Sequence, residues 1–185
     1  AAVAAASPHE AEEALALIEV DYEPLPAVFD ADAAMAPGAP ELHPGLQQLM
    51  DPKSVDLETW PPNVGNHFEL ELGDVDAGFA AAQVIVEKTT RTKAVHQGYL
   101  EPQAGTAQWH EDGRLTVWSS SQGHFSVRDL TARVCAVPVS RVRAVPLEIG
   151  GGFGAKLRAY VEPVAALLAR KARRPVKIAM TRTEV

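Results

Sequence analysis

The 185-residue sequence has one cysteine, Cys135. That excludes an internal disulfide, and with it any iron–sulfur cluster or zinc site built from several thiolates. Basic residues are also short: 17 Lys and Arg stand against 24 Asp and Glu, a net charge of -7. A nucleic-acid binder or a protein of anionic membrane surfaces needs a positive field, so both classes are excluded. No uninterrupted apolar run approaches the roughly 18 residues of a membrane span. The alanine-rich start has no basic n-region of a signal peptide. What is present is 46% apolar residues in 19.8 kDa, enough to bury a core in one ordinary domain or two small pieces. The 14 prolines and 13 glycines imply many turns and at least one long irregular connection. No methionine opens the sequence, and residues 181–185 read as the cap and first turn of a helix. A segment of a longer protein is therefore expected.

Ser7, Pro8 and Glu10 form the N-cap, first-turn proline and capping-box acid of a helix running to about Leu17. Residues 18–22 are expected as a short strand, and Asp30 as the cap of a short helix through Met35. Residues 37–66 are proline-dense and without periodicity, with one helical turn expected at 46–50. Phe68, Leu70 and Leu72 alternate with glutamates, as a half-buried strand should. Asp74 should cap a short helix carrying Phe79. Val84, Val86, Lys88, Thr90 and Thr92 mark a long strand. Residues 105–110 and 115–119 flank Glu111-Asp112-Gly113, a hairpin signal. A helix is predicted over 124–136, with Phe125, Val127, Leu130 and Val134 on its apolar face. Strands at 142–149 and 176–180 bracket a helix at 164–172. The mixture, without strict alternation, predicts an α+β fold.

Three places carry chemical potential. Residues 150–156, Gly-Gly-Gly-Phe-Gly-Ala-Lys, lie between a strand and a helix. Such a backbone can take positive φ and turn its N–H groups toward an anion. Phe153 among them either covers a cofactor or plugs a neighbouring core. A nucleoside-triphosphate P-loop fails here, since Ala155 precedes the lysine and Leu157 follows it. The loose dinucleotide fingerprint Gly150, Gly152, Ala155 fits, although no acid closes the next strand. A glycine-rich turn without ligand is the third reading. Gln122, in the Ser-rich junction 119–124, can donate to or accept from a ligand, or the junction can be a plain helix cap. His96 and Glu101 could form a catalytic or metal pair, or pack as buried polar groups between strands; a metal there would be under-ligated. His9, His43, His67 and His110 are scattered and expected to face solvent.

In order along the chain, these signals resemble the molybdopterin-binding large subunit of the xanthine dehydrogenase and aldehyde oxidase family. Residues 18–26 look like the end of that family's α/β hammerhead domain. Gly73-Asp74 with Gly78-Phe79 and Ala82 resembles the entry to its molybdenum domain. His96 through Pro102 is similar to its Leu-Glu-Pro segment. Gln122-Gly123-His124 with Arg128 resembles its Gln-x-x-His and downstream Arg, with the histidine shifted closer. Residues 150–156 resemble its Gly-Gly-Gly-Phe-Gly-Gly-Lys loop, and Arg174 to Lys177 with Arg182 and Glu184 its next strand and helix start. The resemblance implies a hammerhead tail at 1–30, an extended linker at 31–66 and the first part of the molybdopterin-binding domain at 67–185. It implies a molybdenum cofactor, bare or as a cytosine dinucleotide, contacted by Gln122, Gly151, Gly152, Phe153 and Gly154. None of these is a direct metal ligand, and no catalytic residue falls within the segment, the general-base glutamate being expected beyond Val185. The implied reaction is hydroxylation of an aldehyde or heteroaromatic carbon with water's oxygen. Electrons would leave through iron–sulfur clusters and FAD on partner subunits or domains, in the cytoplasm or alternatively the periplasm. Leu157 stands where purine-oxidising members carry a glutamate, which leans away from xanthine, and Ala155 replaces the last glycine. The isolated segment is expected to be inactive. A dinucleotide-binding oxidoreductase and a non-catalytic assembly segment are the alternatives.

Overall fold

The structure is a computed structural model that describes residues 1–46, 60–68 and 70–185. Two compact units divide the chain: Asp21–Arg91, and Ala1–Val20 together with Thr92–Val185.

In the Asp21–Arg91 unit the helices are short and capped by their own aspartates. Helix α2, Ala31–Met35, begins at Asp30, whose carboxylate accepts the Ala33 amide at 2.7 Å. Helix α3, Val75–Ala81, begins in the same way at Asp74. Asn63 ties the proline-rich stretch together: its amide donates to the Ala34 and Pro40 carbonyls at 2.9 and 3.0 Å, and its oxygen accepts the Leu42 amide. Arg91 pairs with Asp32. The expected turn at 46–50 lies, beyond Leu46, outside the described residues. Of the strand expected around Phe68–Leu72, Glu69 lies outside the described residues, and 68 and 70–72 form no strand; Phe68 and Leu72 are 81% and 83% exposed. The long strand expected through 84–92, and the short one at 18–22, are likewise extended backbone without a ladder. Alternation marks a chain able to be a strand, but a strand needs a neighbour for its N–H and C=O groups, and these segments have none among the described residues.

The other unit holds the sheet. Helix α1, Pro8–Leu15, has the full Ser7–Glu10 capping box. Strands β1, Ala104–Trp109, and β2, Leu115–Ser119, form the expected hairpin, with Gly113 at φ 78° in its turn. Helix α4, His124–Cys135, returns the chain to β3, Val142–Pro146, which pairs parallel to β2. Helix α5, Glu162–Ala172, leads to β4, Val176–Ala179, antiparallel to β1, so the sheet order is β3-β2-β1-β4. The α+β prediction holds.

The core lies between this sheet and the two packed helices: Ala107, Leu115 and Val117 from the strands meet Val127, Ala132 and Cys135 of α4 and Ala165, Ala166 and Ala169 of α5. The expected apolar face of α4 is partly wrong. Phe125 is 76% exposed and Val134 half-exposed, while Thr131, Ala132 and Cys135 are buried with Val127. Small side chains let α4 approach α5's alanines closely, and the bulkier pair rotates outward. Burial pushes the Cys135 thiol up, only partly offset by the Arg170 charge. Gly105 serves the same close packing, since a Cβ there would lie 2.8 Å from Cγ of Glu162.

Candidate cofactor-binding site

The strand register brings four connections to one edge of the sheet. Ser119 stands beside Pro146 and Gly105, and Ala104 beside Ala179. Residues 99–103 before β1, 120–123 after β2, 147–156 after β3 and 180–182 after β4 therefore emerge side by side. Because β2 and β3 are parallel and both end here, this is the carboxyl edge at which open sheets hold ligands.

The glycine loop follows β3 as expected. Gly151 and Gly154 take φ of 92° and 94°, where a side chain is strained. Phe153 sits between them at φ 48° and is 74% exposed. A non-glycine residue held in that region costs on the order of 1 kcal/mol or more. Its ring is therefore no core plug, which removes one of the two roles expected for it. Among the described residues the amides of Gly151, Gly152 and Phe153 donate to no acceptor.

Gln122 comes to this loop from the β2–α4 junction. Its Oε1 accepts the Gly154 amide at 3.1 Å and the Lys156 amide at 3.2 Å, while its own backbone N–H donates to the Lys156 carbonyl at 2.8 Å. Two donors on one side fix which end of the amide is oxygen, so the NH₂ group is left as a donor without a partner among the described residues, on an exposed side chain. Close approach requires glycine at two points. A Cβ on Gly152 would lie 2.5 Å from Gln122 Oε1, and one on Gly123 would lie 2.5 Å from the Leu157 carbonyl oxygen. The junction is thus more than a helix cap: α4 has no side-chain cap hydrogen bond at its Gly123 start.

Neither role open to His96 and Glu101 is realised: no hydrogen bond or ion pair joins them among the described residues, and His96 is exposed and lies in no strand, so it is not packed as a buried polar group either. His96 Nδ1 accepts the Gly98 amide and its ring tilts against Tyr99. Glu101 instead binds Lys156 Nζ at 2.6 Å and the Gly150 amide at 2.8 Å through one oxygen, Oε2. Burial tends to raise the Glu101 carboxyl, but the Lys156 hydrogen bond, the Gly150 amide and the Lys156 charge outweigh it and hold the pKa below its ordinary value. Lys156 is 1% exposed, with its ammonium also 5.3 Å from the centre of the Tyr99 ring. Arg182 approaches that buried ring at 5.9 Å and donates to the Tyr99 and Leu100 carbonyls. Sequence reasoning missed these supporting roles for Tyr99, Lys156 and Arg182; the only available signal was a lysine closing a glycine run. Arg128 turns to Asp129 and over Phe125, and His124 to the Ser119 carbonyl. His9, His43, His67 and His110 are exposed as expected, His110 bonding Thr116. No group of three or more His, Cys, Asp or Glu able to hold a metal occurs among the described residues.

A profile of the molybdopterin cofactor-binding domain matches residues 57–185. The chain belongs to that family. Within the molybdopterin cofactor-binding family, it is 34% identical over its full length to the nicotinate dehydrogenase large molybdopterin subunit of Eubacterium barkeri, covering 40% of that protein. A carbon monoxide dehydrogenase large chain of Afipia carboxidovorans is 33% identical over 90% of this chain and 21% of its own length. Quinoline 2-oxidoreductase from Pseudomonas putida 86 superposes on 97% of the chain and 21% of its own length, with a TM-score of 0.74 and 28% identity. The resemblance to large subunits of the xanthine dehydrogenase and aldehyde oxidase type thus holds, and the chain spans 40% or less of these proteins. The dinucleotide alternative fails on geometry. Its glycines must open a helix, whereas α5 begins only at Glu162, with residues 155–161 between.

Proposed function

We propose that this chain is the part of a molybdenum hydroxylase large subunit that holds one side of the molybdenum cofactor. Gln122, Gly151, Gly152, Phe153 and Gly154 are its contacts, within a cofactor domain at 67–185 preceded by a linker and the tail of a hammerhead domain. The observation that carries the reading is the arrangement of neutral donors. Three free amides and the Gln122 NH₂ stand together, each held by backbone or by a hydrogen bond on its far side.

That donor set suits an anionic oxo group and a phosphate-bearing pterin. Fixed N–H dipoles stabilise negative charge without adding a titratable group, and they need no reorganisation when the charge develops. When bound, the cofactor would supply two-electron oxidation of an aldehyde or heteroaromatic carbon with oxygen from water. The chain's own residues bind and orient it: the loop offers amides, Gln122 offers a directed donor, and the exposed Phe153 ring offers an apolar wall against water. The general base, a glutamate, is assigned outside this chain, as are the iron–sulfur and FAD partners that would take the electrons. Leu157 makes the loop's far side apolar and favours an aldehyde or aromatic substrate over a purine. Among the described residues no helix is long and apolar enough to cross a membrane. The setting proposed is the cytoplasm, with the periplasm as the alternative.

The test is metal and pterin analysis of the intact protein that carries this chain, with and without Gln122→Ala. Stoichiometric molybdenum is expected in the parent, with turnover lowered about 10- to 100-fold in the variant at an unchanged melting temperature. A parent protein purified without molybdenum or pterin would refute the reading.

A further inference from the structure

We propose that Glu101 and Lys156 form the positioning pair of the cofactor loop: one carboxylate oxygen grips both ends of the loop and so sets the direction of its free amides and of Gln122. The inference rests on the function proposed above and adds two residues to it. Glu101 Oε2 lies 2.8 Å from the amide of Gly150, the loop's first residue, and 2.6 Å from Nζ of Lys156, its last. The Glu101 backbone amide donates in return to the Gly150 carbonyl at 3.1 Å. Gly150 has no room for a side chain, since its Cβ would meet Cβ of Glu101 at 2.5 Å. Lys156 then connects the grip to the ligand side. Its amide donates to Gln122 Oε1, and its carbonyl accepts both the Gln122 amide and the Ser121 hydroxyl. Glu101 thus closes the loop from below while Gln122 closes it from the side, and Lys156 belongs to both closures.

A stability role alone does not account for this arrangement. An ammonium that is 1% exposed has lost its hydration, and an ion pair of that kind is commonly no more stabilising than two apolar side chains of the same size. What apolar residues cannot do is fix the separation of Gly150 and Lys156 through a shared acceptor. Tyr99 and Arg182 adjoin the pair, Lys156 Nζ lying 5.3 Å and the Arg182 guanidinium 5.9 Å from the centre of the Tyr99 ring. The pair touches neither cofactor nor substrate in this reading; it acts through the loop and Gln122.

The experiment uses the intact molybdenum-loaded protein and the double variant Glu101→Leu/Lys156→Met, which removes both charges and strands neither. Glu101→Asp serves as a second variant, keeping the charge but withdrawing the oxygen by one methylene. Three quantities are read: melting temperature, the rate at which molybdenum is lost on dilution into a chelator, and the electron paramagnetic resonance spectrum of the metal. Expected are a melting temperature near the parent's, molybdenum loss about tenfold faster in the double variant, a smaller acceleration in Glu101→Asp, and an altered spectrum in both. Parent-like metal retention and spectrum in folded variants would overturn the positioning role while leaving the cofactor assignment standing. A parent that contains no molybdenum would overturn both, so the two failures are told apart by the parent alone.

Discussion

The two ends of the β2–β3 pair both present hydrogen-bond donors, but of different kinds. At the carboxyl end stand backbone amides, one side-chain amide and a single buried ammonium already matched to Glu101. At the opposite end a cavity of about 310 Å³ is lined by His110, Arg114, Thr116, Ser140, Arg141 and Arg143. Arg114 is taken up by Asp112 at 2.6 Å, and Arg141 reaches the Asp112 carbonyl at 3.3 Å. The arginine end has more charge and less direction. Its side chains are long, hydrated and screened by salt, whereas the amides of the glycine loop cannot turn away from a ligand. Fixed direction, not net charge, distinguishes the site, and this is consistent with a chain that is acidic overall.

The strongest way to break that comparison is Gly152→Ala. One methyl would overlap Gln122 Oε1 at 2.5 Å and push the glutamine off the loop. Bound molybdenum should fall by about tenfold or more, equivalent to roughly 1.4 kcal/mol, while the circular dichroism of the sheet and helices stays as it was. Metal analysis of the purified protein reads the outcome, and full loading would show that the loop's geometry is not what binds.

An effect of comparable size concerns the fold beneath the same edge. Glu162, in the first turn of α5, is buried; it accepts the Ser119 hydroxyl on one oxygen and the Tyr160 amide at 2.9 Å on the other. Glu162→Ala leaves Ser119, fully buried, with no partner for its hydroxyl, at a cost of about 1–3 kcal/mol in urea unfolding. A change indistinguishable from zero would mean that water replaces the carboxylate there.

How much of this was legible in the sequence depends on where each residue's partner lies. The hairpin, α4, α5 and the glycine loop follow from local signals, because Gly113, the αL turn and the helical spacing act within a few residues. Gln122 and the loop were assigned together by resemblance, and the contact between them is tertiary. The expected strands at 68–72 and 84–92 failed for the complementary reason: their alternation is real, but a ladder requires a second chain segment that no local pattern reveals. Lys156 and Glu101 are the clearest case. The lysine was read as part of a loop motif and the glutamate as buried polar packing or a histidine's partner, and only the arrival of β1 and β3 at one sheet edge places the carboxylate under the glycines. Asn63 was invisible in the same way, its three partners lying 21 to 29 residues earlier in the chain.

A pH titration sharpens the contrast between this half-buried pair and the surface ones. The Glu101 pKa is lowered in the folded state, so its contribution is complete above the ordinary value of 4.5 and is lost as the pH falls through the folded value. Asp112 and Glu184, both at the surface, shift in the same direction under their Arg114 and Thr181 hydrogen bonds. The difference between the parent and Glu101→Gln isolates the first of these. Acidification below pH 4.5 should accelerate molybdenum release from the parent by a step that is missing in the variant, whose release should already be fast at neutral pH. A parent and variant with parallel acid profiles would place the sensitivity elsewhere.

The smallest effect is expected at the arginine end. Arg143 is exposed on β3 and lines the 310 Å³ cavity, and its side chain makes no hydrogen bond or ion pair among the described residues. Removing such a side chain typically changes stability by about 0.5 kcal/mol or less. Arg143→Ala should therefore leave the urea midpoint and the molybdenum content where they were, and only the weak attraction of this face for anions should decline. The value of the variant lies in its pairing with Gly152→Ala. One change deletes a full positive charge, the other adds a single neutral methyl group. If the charge deletion removed the cofactor and the methyl did not, binding would follow electrostatic field and not donor direction, and the carboxyl edge would have to yield its assignment to the opposite end of the same two strands.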